Sequence, residues 1–227
     1  MSPAIPRILP FAAYLAFLAC LSGMSVLADV LPDWKGWVSS VQLWHYPLKI
    51  LVVSLLLGVF WPRYDELKDK LFRPTRDLGM ACVVGVLVYV AWVRMDWSWA
   101  TVGSAQGYNP FEAGRGGTWL AVARLFGASV VVPIMEELFW RSFLIRYLIS
   151  PDFRSVPIGM YSPAAWAISI VLFGFEHYQW LAGIVAGLAY TLLWHYTRRL
   201  WPCIIAHAVT NLCLGIHVLV TEEWQWW

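Results

Sequence analysis

Long apolar stretches, separated by short polar segments, dominate the hydrophobic pattern of this chain. Most are close to the ~20 residues that an α-helix needs to cross the hydrocarbon core of a bilayer. The stretches lie at 10–28, 44–61, 78–93, 119–148, 164–177, 179–196 and 201–220. The pattern predicts an all-α fold, a polytopic membrane bundle of seven transmembrane helices, or eight if the long fourth stretch splits.

The composition agrees with a membrane protein. Hydrophobic residues make up 60% of the 227 residues and charged residues 13%, whereas soluble domains have about 25% charged residues. The formal net charge of +2 gives no indication of a nucleic-acid partner, and none is expected. Arg7 precedes the first apolar stretch, which we interpret as a retained helix because no clear cleavage site follows it.

The distribution of Lys and Arg predicts how the helices are oriented. Five such residues lie in 62–77, including Lys70 and Arg73, and Arg198 and Arg199 follow the sixth stretch. Basic loops remain on the cytoplasmic side. The N-terminus, 62–77, 149–162 and the Arg198–Arg199 pair are therefore predicted to be cytoplasmic. We expect a multi-pass protein of the bacterial inner (plasma) membrane, with the lipid bilayer as its surroundings.

Three polar or aromatic pairs occur inside the apolar stretches of the C-terminal half, each at a spacing of four residues. They are Glu137 with Arg141, Phe173 with His177, and His207 with Asn211. Residues four apart share one face of a helix. The first three stretches contain no comparable set, which places the predicted site in the C-terminal half.

Glu136 and Glu137 are the most informative residues, because a charged side chain at the centre of a bilayer helix costs about 2.5–3.5 kcal/mol. An ion pair between Glu137 and Arg141 would leave Glu136 free to act. A carboxylate with a histidine can activate water, and a second histidine with an asparagine can stabilise an oxyanion. The set suits hydrolysis of an amide bond. Other hydrolytic signatures, HExxH, GxSxG and GxGD, do not occur.

The three pairs form motifs that resemble those of a known family. Residues 136–141 fit EExxxR, 173–177 fit FxxxH and 207–211 fit HxxxN. Their order is similar to that in the CPBP (Abi) family of intramembrane proteases, which includes the CAAX prenyl endopeptidases. The resemblance covers 119–220 as a catalytic core, whereas 1–118 contains further transmembrane helices with no motif match.

The resemblance implies a role for each residue. Glu136 and His177 activate water, His207 and Asn211 stabilise the oxyanion, and Glu137, Arg141 and Phe173 support them. The expected function is an intramembrane endopeptidase acting on a membrane-associated peptide or protein, prenylated substrates of CAAX type included. The alternative is a non-catalytic membrane protein for binding, transport or bacteriocin immunity that uses the same polar chamber.

A metal is the open point within the enzymatic interpretation. Glu136, His177 and His207 are residue types that bind zinc with one position left open. Asn211 is a poor zinc ligand, and a glutamate with a histidine suffices to activate water. We therefore expect no cofactor, with zinc at Glu136, His177 and His207 as the alternative.

Two geometric expectations follow from helix dimensions. Counted at ~1.5 Å per residue, His207 lies ~9 Å from the cytoplasmic end of its helix, whereas Glu136 and His177 lie ~18–20 Å from theirs. These residues meet only if helices tilt or begin outside the hydrocarbon, and we expect their cavity to open toward the cytoplasm.

Gly183 and Gly187 form a GxxxG pattern that predicts close helix packing.

Overall fold

The computed structural model describes residues 2–69, 75–103 and 107–227, so that Lys70 and Arg73 of the predicted cytoplasmic loop lie outside the described residues. The described chain is helical and contains no strand, which confirms the predicted all-α bundle. Seven main helices are present in these ranges. They are α1 Ile5–Val30, α2 Lys35–Phe60, α3 Thr75–Arg94, α4 at 117–149, α5 Pro163–Phe175, α6 Trp180–Thr197 and α7 Trp201–Thr221.

Five helical stretches of the described chain are long and apolar enough to cross a membrane: Ile5–Val30, Lys35–Arg63, Thr75–Arg94, Pro110–Ile149 and Trp201–Thr221. Helix α5 is apolar but shorter, with 13 residues. Helices α5 and α6 are joined by a turn of four residues, 176–179, and pack against each other as a hairpin. The protein is an integral membrane protein.

Helix α4 does not split into two helices. It contains two π-helical segments, Gly127–Val131 and Leu138–Leu144, between α-helical ones. The first ends just before Pro133, which lacks an N–H group and would clash with the preceding turn of a regular α-helix. Wider π-helical turns relieve such a clash and occur often at functional sites. Glu136 and Glu137 lie in the short α-helical segment Val132–Glu137 between them.

The position of α7 is set by its close packing on α3. A Cβ atom added to Gly85 would lie 2.5 Å from the carbonyl oxygen of Ala206 and 2.7 Å from the Cβ of Val209. The hydroxyl of Thr210 donates a hydrogen bond to the carbonyl oxygen of Gly85 at 2.9 Å. Glycine at this position allows the two backbones to approach, which fixes the helix that carries His207.

Helices α4 and α7 bring their polar residues to one depth by an offset of their ends. The Nε2 atom of His207 lies 4.0 Å from Oε2 of Glu136, although Glu136 is further from the end of its helix. The basic segments 62–69 and Arg198–Arg199, here called the arginine-rich loops, lie on one side of the bundle. At ~1.5 Å per residue, α4 extends about 10 Å further than α7 on this side. A helix that extends beyond its neighbour thus resolves the mismatch in depth.

Candidate active site

The four predicted catalytic side chains line one cavity. Glu136 comes from α4, His177 from the turn after α5, and His207 and Asn211 from α7. The cavity has a volume of about 190 Å³. Since one water molecule needs only ~10–15 Å³ of such space, the cavity has room for several water molecules.

Glu137 joins α4 to α7. Its Oε1 atom accepts hydrogen bonds from Nη1 of Arg141 and from Nδ1 of His207, both at 3.1 Å. Arg141 also donates from Nη2 to the carbonyl oxygen of Gly187 on α6 at 3.2 Å. Glu137 and Arg141 are at most 1% exposed. The ion pair that the spacing predicts is present, and it also orients the ring of His207.

Glu136 has no such partner. Its side chain is 5% exposed, and its Oε2 atom has no hydrogen bond to the described protein atoms. Nε2 of His207 lies 4.0 Å from this oxygen, beyond hydrogen-bond distance. A buried carboxylate without partners is costly. Because Glu136 faces the cavity, water or a substrate is left to solvate it.

His177 has one of its two ring nitrogens committed to the backbone. Nδ1 lies 2.8 Å from the carbonyl oxygen of Phe173, one turn earlier. A carbonyl oxygen only accepts hydrogen bonds, so Nδ1 carries the proton and Nε2 of the neutral ring has a free lone pair. The rings of Trp92 and Phe173 lie 5.2 and 4.9 Å from the imidazole, centroid to centroid. His177 is therefore held as a base whose free nitrogen can accept a proton.

Asn211 and His207 present their hydrogen-bond donors beside the same cavity. Nδ2 of Asn211 donates to the carbonyl oxygen of Ala128, in the first π-helical segment of α4, at 2.8 Å. A side-chain amide has two N–H groups, so the second one remains for another acceptor. The ring of Tyr190 stacks on His207 with centroids 5.1 Å apart and planes at 21°. This stacking leaves the edge of the imidazole as its reactive part.

Phe173 supports the site in two ways. Its carbonyl oxygen holds His177, and its ring lies 4.5 Å from the guanidinium carbon of Arg141. A cation over an aromatic face is stabilised by about 0.5–2 kcal/mol. Phe173 thereby connects His177 with the Glu137–Arg141 pair.

The cavity extends away from the arginine-rich loops, whereas the sequence predicts that it opens toward them; that the side of these loops is cytoplasmic stays a prediction. Trp92 is near the end of α3, Arg124 is near the start of α4, and Trp226 and Trp227 follow α7. All four line the cavity, and all belong to the side opposite the segment 62–69. The expectation used the short distance of His207 from the start of α7 on the side of these loops. Because α4 extends further than α7 on that side, Glu136 and His207 lie deeper in the bundle than this distance suggests.

The zinc alternative finds no ligand cluster in this arrangement. Among the described residues, no three His, Cys, Asp or Glu side chains converge as metal ligands. One nitrogen of each imidazole is hydrogen-bonded, in His177 to a backbone carbonyl and in His207 to Glu137, which is also how metal-binding histidines are oriented. That the site needs no metal stays a prediction.

Sequence reasoning missed a second polar group beside the cavity. Arg124 on α4, Tyr14 on α1 and Tyr46 on α2 line it, and Lys49 on α2 contacts both tyrosine rings. The claim that the first three helices contribute no polar set is therefore wrong. A signal was available, since Lys49 and Arg124 are cations inside apolar stretches, as Glu136 is an anion inside one.

A second carboxylate close to the site was also missed. Glu176 precedes His177 in the α5–α6 turn, and its Oε2 atom accepts a hydrogen bond from Nε1 of Trp140 at 3.2 Å. Trp140 belongs to α4 and follows the glutamate pair by three residues. The contact ties the turn that carries His177 to the helix that carries Glu136.

Comparison with known proteins gives one family. Residues 118–213 match the family described as "Type II CAAX prenyl endopeptidase Rce1-like". The match includes all three motifs and confirms the family to which they point. No curated protein and no solved structure matches the chain.

Proposed function

We propose, from the Rce1-like domain that residues 118–213 of this chain form, that the protein is an intramembrane endopeptidase that uses water as its nucleophile. The family points to a protease. The observation that carries the proposal is that Glu136, His177, His207 and Asn211, from separate parts of the bundle, line one cavity. The expected substrate is a polypeptide associated with the bilayer.

In the first step, Glu136 and His177 activate a water molecule. The free carboxylate oxygen of Glu136 accepts a proton from the water molecule. At the same time the water oxygen forms a bond with the carbonyl carbon of the substrate. Nε2 of His177, kept unprotonated by the hydrogen bond at Nδ1, accepts the second water hydrogen in a hydrogen bond and orients the attack. General base catalysis of this kind contributes about 10²–10⁴-fold.

His207 and Asn211 stabilise the charge that develops on the carbonyl oxygen. Asn211 has one N–H group free after its bond to Ala128. His207 donates a hydrogen bond from Nδ1 to Glu137. In this proposal Nε2 of His207 also carries a proton when it donates to the oxyanion, and the carboxylate of Glu137 balances the positive charge of the ring. Each donor to an oxyanion typically contributes about 2.7–4 kcal/mol to the stability of the transition state.

Collapse of the tetrahedral intermediate completes the reaction. The C–N bond breaks, and the proton held by Glu136 passes to the leaving amine, so that the carboxylate is regenerated. The products are a free amine on one fragment and a new carboxylic acid on the other, which loses its remaining proton to water and becomes a carboxylate. Arg141 holds Glu137 in place throughout and does not contact the reacting atoms.

We further propose that the substrates are prenylated polypeptides of CAAX type, because the family description names them. A lipid chain would keep the peptide beside the bilayer, with only the scissile group inside the small cavity. A fluorogenic farnesylated peptide is therefore the first probe. We also propose that the reaction needs no metal and that the bacterial inner membrane is the location of the protein.

The test compares the wild type with Glu136→Gln, in lipid nanodiscs with this peptide and in cell membranes by profiling C-terminal peptides. We expect a loss of at least 100-fold with Glu136→Gln, no change with the exposed control Glu112→Gln, and a rate that survives a chelator. Cleavage retained by Glu136→Gln would contradict the mechanism and favour a binding or transport protein. Inactivation by the chelator with recovery on adding zinc would establish a metal enzyme.

A further inference from the structure

A second polar pocket, separate from the catalytic cavity, lies on the side of the arginine-rich loops. It has a volume of about 270 Å³, and none of its lining residues belongs to the cavity of Glu136. The proposed reaction therefore does not account for it. The lining residues, which we call the arginine pocket, are Arg7 on α1, Asp65 and Glu66 between α2 and α3, Arg146 on α4, and Arg154 and Ile158 after α4.

Two of the three arginines in the arginine pocket are paired with its two acids. Nε and Nη2 of Arg7 donate to the two carboxylate oxygens of Glu66 at 2.7 and 2.6 Å. Nη2 of Arg154 donates to Asp65 at 2.7 Å, and Nζ of Lys68 donates to the other oxygen of Asp65 at 2.6 Å. Each carboxylate of the pocket thus already has a cation of its own.

Arg146 is the third arginine, and it has no acid of its own in the described part of the chain. It is only 7% exposed. Its Nε, Nη1 and Nη2 atoms donate to the backbone carbonyl oxygens of Val156, Ser142 and Arg154 at 2.8, 3.1 and 3.3 Å. These oxygens carry no net charge, and a guanidinium has five N–H groups in all. The positive charge of Arg146 and two of its N–H groups therefore remain for an acceptor from outside the chain.

The two buried arginines are held against the same aromatic ring. The guanidinium carbons of Arg7 and Arg146 lie 5.3 and 5.4 Å from the ring centroid of Phe153. Two cations on one ring repel each other unless anions compensate them. Glu66 compensates one of the two. With three arginines against two acids, the arginine pocket has a surplus of one positive charge.

We propose that the arginine pocket binds the phosphodiester group of an anionic lipid, with Arg146 as its principal ligand. A phosphodiester carries one negative charge, which equals the surplus of the pocket. Its two free oxygens match the N–H groups of a guanidinium. Basic pockets between transmembrane helices are sites where the head groups of anionic lipids bind. This inference does not depend on the proposed function.

The location of the pocket favours a lipid over free phosphate, which shares the same chemistry. Arg7 lies in the first turn of α1 and Arg146 in the last turn of α4, and both helices are long and apolar enough to cross a membrane. Helix ends of this kind lie at the level of the lipid head groups. Arg154 is half exposed and is paired only with a half-exposed acid, so that it can turn from Asp65 toward a ligand.

A phosphate bound here connects four parts of the bundle. They are the start of α1, the segment between α2 and α3, the end of α4 and the segment that follows α4. Arg146 already fastens this last segment to α4 through the carbonyl oxygens of Arg154 and Val156. The lipid therefore stabilises the end of the helix that carries Glu136 without entering the catalytic cavity.

The test measures lipid binding directly. The wild-type protein in a neutral detergent is titrated with short-chain phosphatidylglycerol or phosphatidylcholine, and native mass spectrometry counts the bound lipid molecules. Phosphatidylcholine has the same phosphodiester beside a cation, which the arginines repel. We expect phosphatidylglycerol to bind at least tenfold more tightly, and equal affinities would overturn the inference. Displacement of phosphatidylglycerol by an equal concentration of inorganic phosphate would assign the pocket to free phosphate and refute the lipid.

Variants identify the residue responsible. Arg146→Gln should weaken binding of phosphatidylglycerol at least tenfold, and Arg146→Lys should retain part of the affinity. Arg63→Gln removes an exposed arginine from the same side of the bundle that does not line the pocket, and it is the matched control with no expected effect. Unchanged affinity in Arg146→Gln, or an equal loss in Arg63→Gln, would overturn the assignment.

Two variants at half-exposed positions keep the test decisive if Arg146→Gln does not fold, because neither disturbs the hydrogen bonds of Arg146. Arg154→Gln removes a cation and should weaken binding of phosphatidylglycerol about fivefold, whereas Asp65→Asn removes an acid and should tighten it. A purely structural role for these residues predicts no such opposite effects on lipid affinity. Any other combination of the two results would refute the lipid site.

Discussion

At the scale of single residues, the two imidazoles of the site are distinguished by what holds their Nδ1 atoms. His177 is held by a backbone carbonyl, and His207 by the carboxylate of Glu137. The acceptor is a neutral carbonyl oxygen for His177 and a carboxylate for His207, so the two rings lie in different electrostatic surroundings. The two histidines are therefore not interchangeable, although they occupy the same cavity.

This difference leads to a prediction for His177. Asparagine can keep the hydrogen bond to the carbonyl oxygen of Phe173, but it has no lone pair at the position of Nε2 and cannot act as a base. We expect His177→Asn to fold with little change in melting temperature and to lose about 10²–10⁴-fold in kcat. Peptide cleavage and thermal unfolding in nanodiscs measure the two effects.

His195 provides the matched control. Its Nδ1 atom makes the same kind of contact, 2.8 Å from the carbonyl oxygen of Gly159, and it does not line the cavity. His195→Asn should leave cleavage unchanged. Activity within twofold of the wild type in His177→Asn would show that Glu136 alone activates water.

The residues of the three motifs could be found from the sequence, because charge, spacing and an apolar context combined at each of them. Arg124 and Lys49 could not be placed beside each other in the same way. Arg124 has no polar neighbour at helical spacing, Lys49 has only His45, and it is the packing of α2 against α4 that brings the two cations to the ring of Tyr46. Contacts between helices that are distant in sequence leave no local pattern.

At the scale of elements, the α5–α6 hairpin determines where His177 lies. A Cβ atom added to Gly183 would lie 2.9 Å from the Cα of Gly174, 3.0 Å from its carbonyl oxygen and 3.3 Å from Nδ1 of His177. The GxxxG pattern predicts close packing at Gly183, but it does not name the partner. In the structure the partner is α5, which ends just before His177.

We therefore predict that Gly183→Ala impairs catalysis through helix packing. The added methyl group must push α5 away, at a cost of about 1–3 kcal/mol for overpacking. A displacement of ~1 Å in a reacting group can reduce the rate about 100-fold, so kcat should fall at least tenfold. Melting temperature and kcat in nanodiscs test this together.

The control for Gly183 is a glycine in open surroundings. A Cβ atom at Gly58 on α2 has no atom within 4 Å, so Gly58→Ala should leave both quantities unchanged. If Gly183→Ala had the same kcat as the wild type, the close approach of α5 and α6 would be irrelevant to His177.

The internal geometry of α4 was beyond sequence reasoning. The apolar stretch 119–148 is compatible with one long helix and with two shorter ones, and its pattern gives no indication of π-helical segments. The hydrophobic pattern defines which residues are apolar, whereas the hydrogen-bond register within a long helix depends on its neighbours. Ala128, whose carbonyl oxygen accepts from Asn211 on α7, lies in the first of these segments.

At the scale of the whole molecule, the number and order of helices followed from the apolar stretches alone. The direction in which the cavity extends did not, because it depends on the heights of helix ends. The loops and their contacts determine how far each helix end extends along the bundle. One example is the segment 65–67, which lies between α2 and α3 and carries Glu66 to the ends of α1 and α4.

Glu66 fastens three parts of the bundle on the side of the arginine-rich loops. Its two oxygens accept hydrogen bonds from Nε and Nη2 of Arg7 at 2.7 and 2.6 Å, and the hydroxyl of Ser142 on α4 donates to it as well. The Glu66 side chain is 3% exposed. Removing one partner of such a buried pair typically costs about 3–5 kcal/mol.

This contact predicts how stability depends on pH. Burial alone would raise the pKa of Glu66, but the hydrogen bond and charge of Arg7 hold it below its ordinary value of 4.5. A carboxylate whose pKa is lower in the folded state contributes stability above its unfolded pKa and loses it as the pH falls through the folded value. We expect the melting temperature of the wild type to fall steeply below about pH 4.5.

Glu66→Gln should melt at a lower temperature at pH 7 and show a weaker dependence on acid, because the carboxylate that would be protonated is absent. Asp65→Asn is the control. Asp65 also has a lowered pKa, through the hydrogen bond from Lys68, but its side chain is 48% exposed, and exposed pairs contribute only about 0–1 kcal/mol. Its melting profile should follow that of the wild type. An equally steep acid transition in Glu66→Gln would mean that other carboxylates control the acid stability of the bundle, and that Arg7 and Ser142 hold α1 and α4 together without depending on this charge.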